Sequence, residues 1–307
     1  MRGIAEKNGG IRVREIQNVT IVGAGTMGHS LAQVFAQGGY NVRLNDTSEK
    51  ILSQARNLIS SNLKTLSDLG YLEEGGPGPV LSRIRTSANL EEAAGSADLV
   101  IEAIVEDEAE KKAMFARLDR ICPPKAILAS NTSQLDIFKF VETRRPGKVL
   151  ITHWFAPPHI VPLVEVVRGP ETSQETVDTV TAVLLKLGKK PIVIAKFLPG
   201  FIANRIQNAI GVEVFNLLDN GYATAEDIDT ATKASFGLRM PILGLVKKLD
   251  FTGLDLIQKV RSNATYKIPP LPSRSKSVDA LVEKGKLGVK TGSGFYEYGG
   301  RTPEEIM

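Results

Sequence analysis

Apolar and polar positions follow two different patterns along this chain. Between residues 19 and 198, short apolar runs recur: "VTIVGAG", "YNVRLND", "DLVIEAIV", "AILAS", "KVLITHWF" and "KPIVIAK". Stretches with apolar residues at helical spacing separate them. A short apolar run bounded by turn residues fits a strand buried on both faces. Strands alternating with helices imply parallel pairing through crossover helices, and hence a doubly wound sheet. The spacing predicts helices over 26–37, 48–69, 89–95, 108–120 and 174–188. Gly38-Gly39 and Gly70 stop the first two. The glycine–proline run 75–79 predicts a loop, and "RIRTSA" after it a strand.

Beyond Pro199-Gly200 the pattern changes. "GFIANRIQNAIGVEVFNLLDNG" is helical in period, and Thr224 with Asp227 forms a capping-box start to a helix that the pattern runs to Gly237. No strong strand returns before "GFYEYG". The expected organisation is a lead-in over 1–17, a sheet domain over 18–198 and a smaller all-helical domain over 199–307.

The bulk numbers change this picture little. The chain has 307 residues, with 38 basic and 34 acidic side chains and a net charge of +4. The excess is spread out, with no basic block of the kind that binds nucleic acid. A single cysteine, Cys122, excludes a disulfide framework within one chain and a cysteine-based metal cluster, and reads as a buried apolar residue. No apolar run is long enough for a membrane span, and the polar start lacks the apolar core of a secretory signal. The expected setting is reducing and cytoplasmic.

Gly23-Ala-Gly25-Thr-Met-Gly28 fits G-x-G-x-x-G, follows a predicted strand and opens a predicted helix. Asp46, eighteen residues beyond Gly28, ends the second strand. In that context the pattern reads as a dinucleotide turn. Gly23 permits the turn, Gly25 admits the pyrophosphate, Thr26 and Met27 lead into the helix N-terminus, and Gly28 lets helix and strand pack. The helix start offers free N–H groups to the phosphates. The motif suits FAD as well. Asp46 would accept from both ribose hydroxyls and repel a 2′-phosphate, which favours NAD over NADP. The fold class is therefore α/β: a Rossmann-like, doubly wound, mostly parallel sheet followed by a helical domain.

The chain has three histidines. His29, at the start of the first helix, reads as a surface or packing residue, and His159 as a loop residue or the rim of a site. His153 follows "KVLIT", where such sheets place ligands, among apolar neighbours. An imidazole there can act as a base near neutrality. Glu165, in the apolar stretch "LVEVV", needs a donor or cation, since an unpaired buried carboxylate is costly. Two readings stand on spacing alone: a base with its orienting carboxylate, or two satisfied polar groups at a domain seam.

Further segments make a family resemblance plain. "VTIVGAGTMG", "DLVIEAIVED", "ASNTSQL", "HWFAPPHIVPLVEVV", "PGFIANRI", "EDID", "GLD" and "LGVKTGSGFYEY" follow one another over residues 19–298. In order and spacing the sequence resembles the L-3-hydroxyacyl-CoA dehydrogenase family. The resemblance implies an enzyme with His153 as general base toward a 3-hydroxyl, Glu165 as its orienting partner, Ser133 touching substrate and cofactor, and Asn204 positioning the substrate. It further implies Glu106, Lys111 and Lys290 along NAD, an acyl-CoA ester as substrate, and a homodimer through the helical domain.

Three departures qualify the likeness. Ala156 replaces an asparagine beside the cofactor. Asn62 and Leu69 stand where the family has a serine and a lysine toward CoA, with only Lys64 basic nearby. Lys247 replaces an acid. Relatives of the same fold act on substrates without CoA, such as L-gulonate, carnitine and pyridine alcohols, and Pro157-Pro158-His159 leans that way. A third expectation is a non-catalytic, crystallin-like binding protein. The presence of Ser133, His153, Glu165 and Asn204 together argues for catalysis.

Overall fold

The computed structural model describes residues 14–72, 75–263, 274–302 and 305. The chain divides into two compact units between Ile202 and Ala203.

The first unit is built on eight strands: β1 (Asn18–Val22), β2 (Asn41–Asn45), β3 (Ile84–Ser87), β4 (Leu99–Glu102), β5 (Ile127–Ser130), β6 (Val149–Trp154), β7 (Leu163–Arg168) and β8 (Lys190–Ile194). They lie in the order β3-β2-β1-β4-β5-β6-β7-β8. All neighbours pair parallel except β6 and β7. The inversion has a simple cause. Residues 155–162 are too few to hold the crossover helix that a parallel return requires, so the chain turns back as a hairpin. The run "DLVIEAIV" stays a strand only to Glu102, because the next residues form the wall against which the phosphate turn packs.

Helices α1 (Gly28–Gln37), α2 (Glu49–Asp68), α3 (Pro77–Ser82), α4 (Leu90–Ala94), α5 (Glu108–Ile121) and α6 (Gln174–Lys186) cover the sheet. Alternating strand residues feed two cores. Ile21, Leu44 and Ile101 pack with Leu31, Phe35, Leu52 and Val180 in one. Val22, Val100 and Leu128 pack with Phe115, Leu118 and Ile137 in the other. Each fully buried side chain of this size stabilises the fold by about 1.5–3 kcal/mol.

Two expectations for this unit are corrected. The glycine–proline run expected as a loop enters α3. Pro77 occupies the first turn, where backbone N–H groups have no intrahelical partner and proline loses nothing, and Gly76 supplies a positive φ of 62° before it. Residues 14–17 of the expected lead-in are tied to the sheet. Ile16 is buried, Arg14 pairs with Asp98 at 2.6 Å, and the Asp98 carboxylate also accepts from the N–H groups of Gln17 and Asn18. The rest of that segment lies outside the described residues.

The second unit contains α7 (Ala203–Asp219), α8 (Ala225–Ala234), α9 (Phe236–Leu243), α10 (Leu245–Thr252), α11 (Leu254–Ser262) and α12 (Lys276–Glu283). The capping box of Thr224 and Asp227 starts α8. This helix ends before Gly237, which lies inside α9. Ser235 departs from helical backbone and turns its hydroxyl to the Ala231 carbonyl, competing with the helical ladder. Among the described residues of this unit, only Ile228 and Ser275 are buried. No helix among the described residues is long and apolar enough to cross a membrane.

Candidate active site

The site assembles at the carboxyl ends of β1, β4, β5 and β6, on both sides of the point where strand order reverses between β1 and β4. Doubly wound sheets bind ligands at such a point. Gly23 leaves β1 with φ 96°, and an added Cβ would lie 2.5 Å from the Ala103 carbonyl oxygen. At Gly28 an added Cβ would lie 1.7 Å from the Gly23 carbonyl oxygen, so helix and turn touch backbone to backbone. Gly25 differs: nothing lies within 4 Å of its Cβ position. Gly23 and Gly28 therefore serve the packing of the turn, whereas the space at Gly25 is open to a ligand. Thr26 and Met27 bring the chain into α1 at Gly28. Asp46 ties into the same turn, accepting from Ala24 N–H at 2.9 Å and, with its other oxygen, from Ser48 N–H at 3.0 Å.

His153 and Glu165 face each other as register partners across β6 and β7. His153 is 3% exposed and Glu165 is fully buried. The imidazole Nδ1 lies 2.7 Å from Glu165 Oε2. The other carboxylate oxygen accepts from Ile202 N–H at 2.9 Å. A carboxylate can only accept, so Nδ1 carries hydrogen, and in the neutral ring Nε2 is the nitrogen with the lone pair. Two aromatic rings enclose the imidazole, Phe155 at 4.6 Å and Phe201 at 5.1 Å between centroids. Phe201 adopts φ 49°, a left-handed conformation that costs a non-glycine residue about 1–2 kcal/mol. The conformation aims the following N–H at Glu165.

A second carboxylate lies buried in β4. Glu102 accepts from Lys111 Nζ at 2.6 Å, Ser130 Oγ at 2.6 Å and Ile104 N–H at 2.9 Å. Lys111 has no exposed surface, and its ammonium also lies 3.4 Å from Glu106. Burial of charge is costly unless it is paired and hydrogen-bonded, and both conditions hold here. Glu106 accepts from Thr132 Oγ1 at 2.6 Å and from the N–H groups of Ser133 and Gln134 at 2.8 and 3.1 Å. Partial burial pushes its carboxyl up, but these bonds and the Lys111 charge outweigh that and hold it below the usual carboxylate range. The turn carrying Ser133 is thus pinned to an ionised Glu106. Asn131 beside it accepts from Trp154 N–H at 3.1 Å, joining this turn to the strand of His153.

The structure thus unites His153 with Glu165, Ser133 with Glu106 and Lys111, and the glycine turn with Asp46. Asn204 lies in the first turn of α7 and Lys290 in a short turn at Val289–Thr291, both in the helical unit. Lys111, expected along the cofactor, reaches the surface only through Glu106. Glu102, Asn131 and Phe201 escape the sequence reading. Glu102 carries the same signal as Glu165, an acid inside an apolar strand. The left-handed backbone of Phe201 leaves no mark in residue type.

A glycine turn at a switch point, an acid after β2 and a buried imidazole–carboxylate pair define an NAD-dependent oxidoreductase of the Rossmann class. Comparison with known proteins narrows this. The model described as "3-hydroxyacyl-CoA dehydrogenase, NAD binding domain" matches residues 18–197, and that described as "3-hydroxyacyl-CoA dehydrogenase, C-terminal domain" matches residues 200–298. The chain belongs to the 3-hydroxyacyl-CoA dehydrogenase family. It is 38% identical to the mitochondrial hydroxyacyl-coenzyme A dehydrogenase of Mus musculus, over 92% of this chain and 91% of that one. It is also 38% identical to the probable 3-hydroxybutyryl-CoA dehydrogenase of Bacillus subtilis, over 94% and 99% respectively. Among solved structures it is similar to 5-formyl-3-hydroxy-2-methylpyridine 4-carboxylic acid 5-dehydrogenase, an NAD+-dependent dismutase. The TM-score is 0.83 and the identity 28%, covering 95% of this chain and 94% of that one.

Proposed function

We propose that this protein oxidises the 3-hydroxyl of an L-3-hydroxyacyl-CoA, a short-chain one such as 3-hydroxybutyryl-CoA, to the 3-ketoacyl-CoA. One observation carries the reading: His153 Nδ1 is taken by Glu165, which leaves Nε2 as the acceptor of a proton. NAD, when bound, takes the hydride from the carbinol carbon. The protein's share is geometry and proton handling. His153 Nε2 removes the hydroxyl proton, and buried Glu165 stabilises the imidazolium that results. Ser133 offers its hydroxyl from a turn clamped by Glu106, with Lys111 acting through Glu106. Gly25, Thr26 and Met27 would hold the pyrophosphate on the turn that Gly23 and Gly28 pack, and Asp46 would take the ribose. Asn204 and Lys290 complete the set by their match to the family pattern.

Family membership and the mammalian and bacterial relatives favour a CoA ester. A second reading, a hydroxy acid or pyridine alcohol without CoA, has its own support. Leu69, where a lysine would meet CoA, is 64% exposed and apolar, and Asn62 is bonded to Gln33 of α1. The solved pyridine-carboxylate dehydrogenase also aligns over nearly the whole chain. The separating experiment is NADH consumption with acetoacetyl-CoA. Turnover in the ordinary range of about 1–10³ per second establishes the first reading. No turnover there, with NAD reduction by a free hydroxy acid or pyridine alcohol, establishes the second.

A homodimer through the helical unit belongs to the same proposal. Leu238, Ile242, Val246 and Phe251 are each at least 66% exposed in a unit of whose described residues only two are buried, and exposed apolar side chains grouped in this way favour an interface. Sedimentation at twice the chain mass is the expected result. A place in fatty acid metabolism goes with the CoA reading, and residence in the cytoplasm is part of the proposal through the single buried thiol, Cys122.

A further inference from the structure

The candidate active site lies at the carboxyl ends of the strands. Toward the amino ends of β1, β2 and β3 the sheet holds another pocket, of about 260 Å³. One register row lines it: Thr20 of β1, Arg43 of β2 and Arg85 of β3. Arg83, at the entry to β3, and Ser96, just beyond α4, line it too. Thr20 is already used within the fold, its hydroxyl donating to the Ala93 carbonyl at 2.6 Å.

Three guanidinium groups thus meet in one concavity, and acids do not answer them. Elsewhere in this unit arginines find carboxylates: Arg14 donates to Asp98 at 2.6 Å and Arg145 to Asp119 at 2.9 Å. Arg43 approaches only Glu92, at 3.6 Å, beyond hydrogen-bond reach. Glu92 is exposed, and its other oxygen accepts from Ser87 Oγ at 2.7 Å. Arg83 donates to neutral acceptors, the carbonyls of Pro79 at 3.2 Å and Ala36 at 3.5 Å. The side chains of Arg85 and Ser96 have no hydrogen bond or ion pair among the described residues. The pocket therefore carries an excess of positive charge, and Arg43 and Arg85, side by side on one row, repel each other. An exposed arginine on an edge strand discourages a further strand from pairing, and β3 is such a strand. That use needs Arg85 alone. It accounts neither for Arg43 on the interior strand β2 nor for the concavity they share. A bound anion accounts for both. A phosphate monoester brings about two negative charges and three acceptor oxygens, and the planar fork of arginine matches it bidentately.

We propose that this pocket is an anion site, separate from the dinucleotide turn, that takes the phosphate of a small phosphorylated molecule. Arg43 and Arg85 are its principal donors, with Arg83 and Ser96 beside them. The site stands on the sheet register and the unanswered charges, and holds whichever substrate the candidate active site takes.

The test is calorimetric titration of the full chain with glycerol 3-phosphate, with inorganic phosphate and with citrate, at low salt and with NADH present to fill the glycine turn. Glycerol 3-phosphate and phosphate are expected to bind once per chain with Kd below about 1 mM. Arg85→Gln should weaken both at least about tenfold, the loss of one charge-assisted pair. Arg85→Lys, which keeps the charge without the fork, should fall between. NADH affinity should be unchanged in either variant. In phosphate-free buffer Arg85→Gln should melt no lower than wild type, since a repulsion is removed. Added phosphate should then raise the melting temperature of wild type more than that of the variant. No saturable binding up to about 10 mM overturns the site. So does binding of equal strength, or an equal phosphate-induced rise in melting temperature, in wild type and Arg85→Gln. Binding that disappears when NADH is added places the anion on the glycine turn and overturns it as well. Citrate bound as tightly as glycerol 3-phosphate overturns the assignment to phosphate.

Discussion

Replacing Glu165 by Gln tests the catalytic pair with little change in shape. The carboxylate stabilises the imidazolium formed when His153 takes the hydroxyl proton. From the 2.7 Å contact, the charge centres lie about 4 Å apart. At an effective dielectric of about 20 this interaction is worth about 4 kcal/mol. Losing it in the transition state lowers kcat about 10³-fold. A second effect acts in the same direction. The Gln carbonyl would accept from Ile202 N–H in place of Oε1, which turns its amide toward Nδ1. The imidazole would then carry hydrogen on Nε2, the nitrogen required to be basic. The assay is steady-state acetoacetyl-CoA reduction, with NADH affinity measured alongside. The expected result is a kcat reduced about 10³-fold with NADH affinity within about twofold of wild type. A kcat within about tenfold of wild type would refute the assignment of His153 and Glu165 as a catalytic unit.

Three other outcomes follow from the same geometry. Gly28→Ala should cost at least about 3 kcal/mol, because its Cβ meets the Gly23 carbonyl oxygen at 1.7 Å. Gly25→Ala should change stability by less than about 0.5 kcal/mol yet weaken NADH binding at least tenfold; thermal melts and NADH titrations of the two variants check the contrast. Asp46→Ala should weaken NAD and narrow its advantage over NADP, and an unchanged ratio of the two affinities would deny the ribose contact. Burial opposes ionisation of Asp119, but bonds from Thr143, Arg144 and Arg145 outweigh it and lower its carboxyl from 3.8 to about 2. A depressed folded value means stability that is full above about pH 4 and fades as pH falls toward 2. The shift corresponds to about 2 kcal/mol. Urea melts of Asp119→Asn should show that deficit at neutral pH and a shrinking one in acid.

Most of the architecture was readable because its causes are local. Apolar runs of strand length, helical periods, Gly38-Gly39 and the box at Thr224 each act within a few residues, and the element bounds follow them closely. The glycine turn was legible as chemistry because three glycines and one acid recur at a spacing set by a single β-α-β unit. His153 and Glu165 were legible as a pair because each is out of place in an apolar run and each completes the other. What was missed depends on neighbours remote in the chain. Pro77 and Pro79 read as breakers unless the helix start is known, where the N–H groups they lack are not needed. Lys111 is a surface residue by type, and only two acids on other elements explain its complete burial. The Phe201 backbone is held by a hydrogen bond to Glu165 from the following residue, and no residue pattern reports it.

The antiparallel pairing of β6 and β7 carries a further consequence. His153 and Glu165 meet because strand register makes them neighbours, with Thr152 opposite Val166 and Trp154 opposite Val164 on either side. The segment between them is tied down as well: Phe155 packs on the imidazole and the carbonyls of Pro158 and Val161 accept from Lys189, while Ala156, Pro157 and Ile160 are exposed. Under the catalytic reading, those three exposed residues are positions of the hairpin where a substitution would leave the pair in register. The tolerance ends at the ladder. A slip of one position would turn the imidazole to the opposite side of the sheet, so changes that disturb the strands abolish turnover outright instead of grading it.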